Sequence, residues 1–156
     1  MAAKKLLRPI LIGGLIAGAL DITYACVFSY LRSGRTPMVV LQSVASGVLA
    51  RRAYDGGIKT AALGLAFHFL IALIAAAVYV FASRALPFLI NQPIVSGILY
   101  GVCVFAFMYC VVLRISAVHL TSWPWALPKS VFVGGLLIHM FGIGLPIALV
   151  ARRYSK

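Results

Sequence analysis

Four long apolar runs, separated by short polar joints, dominate the pattern of this chain. They cover about residues 9–31, 58–82, 93–115 and 130–151. A helix crosses the hydrocarbon core of a bilayer with about 20 mostly apolar residues, and each run reaches that length. The runs are continuous and lack the alternation of a membrane β-strand. Lipid offers the backbone no hydrogen bonds, so each run must bond within itself, as a helix does. The pattern predicts an all-α, polytopic membrane protein. It forms a single transmembrane domain over residues 1–156, with four transmembrane helices.

A fifth apolar stretch, residues 36–50, is too short to span upright. Arg35 precedes it, Arg51 and Arg52 follow it, and Gln42, Ser43 and Ser46 supply polar groups. It reads first as a short interfacial helix lying flat on the bilayer. The other reading is a re-entrant helix, which requires protein or water to cover its backbone.

Prolines and small residues refine the elements. Pro9 and Pro93 suit first helical turns, where a missing N–H costs little. Leu86–Pro87 and Asn91–Gln92–Pro93 mark the turn between the second and third helices. Gly142, Gly144 and Pro146 predict an interruption near the end of the fourth. Small residues recur one helical turn apart at Gly14 and Gly18, Ala72 and Ala76, and Gly97 and Gly101. Such pairs let helices approach closely in lipid. Trp123 and Trp125 fit the aromatic belt of the interface. The basic N-terminus followed by an apolar run resembles a signal peptide. The run continues through Val27 and Phe28, so it is expected to remain as the first helix.

Composition supports this picture. Hydrophobic residues make up 63% and charged residues 10%. The mean hydropathy is +1.08. A soluble domain of this length could not cover so much apolar side chain, which excludes ordinary soluble enzymes. The formal net charge of +12 does not indicate nucleic acid, because the basic residues gather in small groups at the ends of apolar runs. Half of the 14 basic residues fall on each side of a four-helix topology, so the positive-inside rule does not orient the chain. The first helix and its basic flank favour cytoplasmic termini. Cys26, Cys103 and Cys110 lie inside apolar runs without ligand spacing and read as small buried hydrophobes.

One constellation could carry chemistry. Asp21, His68 and His139 each lie near the middle of a different helix, and so near one depth. A charge at the bilayer centre costs about 2.5–3.5 kcal/mol or more, so these groups are expected to face the bundle interior and one another. They could form a binding site or proton relay. His68 and His139 could also ligate a metal ion, with Asp21, or a haem. The plain alternative is a polar contact that fixes helix register. Thr23, Tyr24, Gln42, Ser43, Ser46 and Tyr100 are candidate supporting polar residues. No hydrolase, zinc-protease, P-loop or dinucleotide motif occurs, and no catalytic residue is assigned.

The stretches Gly18-Ala-Leu-Asp-Ile-Thr-Tyr24, Leu41-Gln-Ser-Val-Ala-Ser-Gly47, Phe67-His68-Phe69 and Gly144-Leu-Pro-Ile-Ala-Leu149, with Arg152–Arg153, carry a resemblance. They resemble a family of small bacterial inner-membrane proteins with four predicted transmembrane helices and no assigned chemistry. The resemblance implies a multi-pass protein of the bacterial inner membrane. The sequence reads first as a non-enzymatic interaction or structural subunit in the lipid bilayer, in a homo-oligomer or larger membrane complex, without a cofactor. A proton, ion or small-solute conduit built on Asp21, His68 and His139 is the second reading. A redox subunit holding haem or metal at His68 and His139 is the third.

Overall fold

The computed structural model describes residues 2–119 and 121–155, with side chains from Leu6 onward. Helix α1 covers Ala2–Ser33, α2 Pro37–Leu49 and α3 Gly57–Ala85. The short α4 covers Phe88–Asn91 and α5 Pro93–Phe107. A π-helical turn, Met108–Val112, joins α5 to α6, Leu113–Ile115. Helix α7, Lys129–Ile138, passes through a second π-helical turn, His139–Gly144, into α8, Leu145–Tyr154. Four helical stretches are long and apolar enough to span a membrane: Leu6–Ser33, Gly57–Ala85, Pro93–Ile115 and Lys129–Tyr154. This is the expected all-α polytopic fold, and no strand occurs among the described residues.

Packing inverts the pattern of a soluble bundle. On α1, Gly13, Gly14, Ala17 and Gly18 are buried, while Leu11, Ile12, Leu15, Ile16 and Leu20 face outward. Lipid is as apolar as leucine, so large side chains lose nothing by facing it, and small ones let backbones meet. The expected small-residue pairs do this. Gly14 and Gly18 sit against Leu73, Phe69 and Ala72 of α3. Gly97 and Gly101 sit against Gly144, Leu145 and the His139–Met140 backbone. The core is accordingly small-grained: Ala17, Ala75, Ala76, Ala148 and Ala151, with Tyr79, Val80, Ile143 and Ile147.

Three expectations change on detail. Helix α1 begins before Pro9, so this proline lies inside the helix rather than in its first turn. The interruption expected in the fourth span takes the form of a π-helical turn. Pro146 has no N–H to give to the Gly142 carbonyl, and its ring crowds that oxygen, so widening the helix ahead of it relieves the clash. The π turn at Met108–Val112 has no proline, and nothing in that stretch explains it. It contains Cys110 and so shifts the helical phase of that residue against Cys103.

Helix α2 does not stand clear of the bundle. It packs along α3, with Val40, Gln42, Ala45 and Ser46 buried, and its Leu41 carbonyl lies directly over Gly64. The Gln42 amide donates to the Gly57 carbonyl at 3.1 Å and to the Thr60 hydroxyl at 3.3 Å. Two sharp corners frame α2. Gly34 (φ +65°) ends α1, donating its N–H to the Tyr30 carbonyl at 2.8 Å, and Gly57 (φ +55°) opens α3. Both lie in the left-handed region that glycine alone enters without strain.

Beyond α6, the chain folds over the end of the bundle. The Ala117 N–H bonds the Gly47 carbonyl at 2.8 Å. Trp123 and Trp125 stack nearly parallel, with centroids 5.0 Å apart, and the Arg114 guanidinium lies 3.9 Å from the Trp123 ring centre.

Candidate functional site: a cavity with an acid and two imidazoles

Asp21, His68 and His139 line one cavity of about 340 Å³. One acid and two imidazoles, each from a different span, thus border the same space. On α1 the lining residues Ala17, Asp21, Ala25 and Ser29 recur every four positions, which puts them on one helical face. Val40, Ser43 and Val44 of α2 close one side. Both π turns contribute: Met108 and Tyr109 from the first, His139 and Ile143 from the second. A π turn widens the helix by one residue and re-aims the side chains around it.

Along α1 the cavity runs from Ala17 to Ser29, roughly 18 Å at 1.5 Å per residue. It reaches from the middle of the bundle toward the face that carries Arg35 and Arg114. Ser43 and Ile71, both lining it, are exposed, so the cavity is open to the outside of the molecule. At its inner end, lining residues Ala17, Ala75 and Ile143 belong to the packed core around Tyr79 and Ile147. Tyr79 is fully buried, and its hydroxyl donates to the Leu89 carbonyl at 2.8 Å and lies 2.8 Å from the Ser96 hydroxyl.

The two imidazoles are held by backbone, not by the acid. His68 Nε2 lies 2.8 Å from the Gly18 carbonyl oxygen, and His139 Nδ1 lies 2.8 Å from the Gly135 carbonyl oxygen. A carbonyl oxygen only accepts, so each of these nitrogens carries the proton and donates it. In the neutral rings His68 Nδ1 and His139 Nε2 are therefore bare. Asp21 has no hydrogen-bond partner among the described residues, and its oxygens are not sealed in. Arg114 Nε is the one buried, unpartnered side-chain atom found there.

Comparison with models of known families, with curated proteins and with solved structures found no match. What this site can do is read from its own atoms. The lining is mostly apolar, with one carboxylate, two imidazoles, the hydroxyls of Ser29, Ser43 and Tyr109, and no Lys or Arg. Among the described residues, no three His, Cys, Asp or Glu side chains gather closely enough to hold a metal ion. The Asp21, His68 and His139 donor set considered for a metal is thus spread around a cavity rather than closed on a point.

The supporting residues divide. Ser43 lines the cavity. Gln42 and Ser46 are buried and bonded within the α2–α3 packing; Ser46 donates to the Ser43 carbonyl at 2.7 Å. Thr23 is exposed. Tyr24 stacks on Phe28 and covers Gly134. Tyr100 spends its hydroxyl on the Ala75 carbonyl at 2.7 Å. Thr23, Tyr24, Gln42, Ser46 and Tyr100 therefore fall outside the lining, and the last three hold the frame. Ser29 and Tyr109 line the cavity and were not among the expected site residues. The four-residue spacing from Asp21 through Ala25 points to Ser29.

Proposed function

We propose that this protein is a non-enzymatic conduit for protons or a small solute in the bacterial inner membrane, with Asp21, His68 and His139 as the groups that bind and release what passes. One observation supports this over an interaction or structural subunit: the three groups border an open cavity of about 340 Å³. A contact that merely fixes helix register has no need of an open cavity bordered by its titratable groups. The cavity falls at the small end of the range for ligand pockets, roughly 300–1,000 Å³. Intramembrane ionisable groups facing such a space are the usual marks of a proton or solute path.

The core around Tyr79 and Ile147 closes the inner end, so passage requires the spans to move against one another. The test uses the full chain in liposomes loaded with a pH-sensitive dye, under an imposed pH gradient. Wild-type protein is expected to carry protons or proton-linked solute, and Asp21→Asn to lower the rate by about tenfold or more, the loss of one strong charged interaction. An Asp21→Asn protein that folds and carries at the wild-type rate refutes the proposal.

A further inference from the structure

The polar atoms around the cavity share a bias. His68 spends its N–H on the Gly18 carbonyl, His139 spends its N–H on the Gly135 carbonyl, and Ser43 spends its O–H on the Val40 carbonyl at 2.6 Å. Each is left with lone pairs. The Asp21 carboxylate, when ionised, also only accepts. No Lys or Arg lines the space; Arg114, next to lining residue Leu113, has its guanidinium over the Trp123 ring and its Nη2 on the Ser122 carbonyl, which leaves its buried Nε as the one cationic donor nearby among the described residues. Of the lining hydroxyls, only Ser29 and Tyr109 retain hydrogens without a described acceptor.

An ionised carboxylate among mostly apolar side chains is costly unless a counter-charge meets it. An anion would face the carboxylate and lone pairs. A neutral apolar molecule would leave Asp21 unmatched. From this we infer that the cavity binds a small organic monocation that has N–H donors and an apolar body, such as a primary arylalkylammonium, with the ammonium at Asp21 and the body against Ile22, Ile71, Val104 and Ile143. This deepens the conduit reading and rests on it.

The titratable groups facing the space are Asp21 from α1, His68 from α3, Tyr109 from the third span and His139 from the fourth.

The experiment measures binding of labelled 2-phenylethylamine to the purified full chain, beside 2-phenylethanol and 3-phenylpropionate. The amine is expected to bind about tenfold or more tightly than the alcohol, and by a wider margin still over the carboxylate. Asp21→Asn removes amine binding, and Asp21→Glu, which keeps the charge, restores it. Equal binding of amine and alcohol, tighter binding of the carboxylate, or unchanged amine affinity in a folded Asp21→Asn protein overturns the inference. Proton flux in liposomes without amine separates the two failures. Flux that depends on Asp21 without amine binding leaves the conduit standing and removes the cation.

Discussion

Single positions decide how closely these helices meet, and neighbouring glycines differ sharply. A Cβ on Gly14 would lie 2.9 Å from the Leu73 Cα, whereas one on Gly13 would find its nearest neighbour, the Ile147 Cα, at an ordinary 3.5 Å. Gly14→Ala is expected to cost about 1–3 kcal/mol through overpacking. Gly13→Ala is expected to be neutral or to gain up to about 1 kcal/mol of helix propensity. Thermal unfolding in detergent checks the pair, and equal melting temperatures would contradict the packing described. The sequence singles out Gly14 by its spacing to Gly18 but says nothing of which glycine of the pair touches backbone. The same limit applies at the site. Asp21, His68 and His139 are legible because a titratable group at the bilayer centre is expensive. Tyr100 looks equally suited from sequence, yet its hydroxyl is taken by Ala75. Which polar groups remain free depends on local partners that no spacing reveals.

At the scale of elements, the four spans follow from run length alone. The placement of α2 does not, since a short apolar segment flanked by arginines suits either a flat or an inward position. The structure sets it against α3, with Gln42 as its polar fastening. Gln42→Leu keeps most of the volume and removes both bonds, at about 0.5–1.5 kcal/mol each, since the Thr60 hydroxyl still donates to the Gly57 carbonyl at 3.1 Å. Hydrogen exchange is expected to accelerate in residues 37–49 while α3 stays protected; unchanged protection of α2 would show that the amide holds nothing. The π turns were the least legible elements. Pro146 gives a reason for one, but the other has no sequence mark, and both fall where the spans wall the cavity.

Across the whole molecule, the open cavity and a second one of about 470 Å³ near Arg84, Asn91 and Tyr154 lie on either side of the core. Val80 and Ala151 belong both to that core and to the second cavity, so the barrier between the two spaces is short. Ile147 is 1% exposed and sits in this barrier. Ile147→Ala is expected to lower stability by about 2–5 kcal/mol and to raise passive proton leak in liposomes. Phe141→Ala, on the outward surface, is expected to leave leak unchanged. A tight Ile147→Ala protein would mean that the core is not what separates the two sides. The chain has two tryptophans, and they stack on one another, with the Arg114 guanidinium against the Trp123 ring. All indole emission from this protein therefore arises in the connection between the third and fourth spans, and intrinsic fluorescence can follow movement there in native, dye-free material.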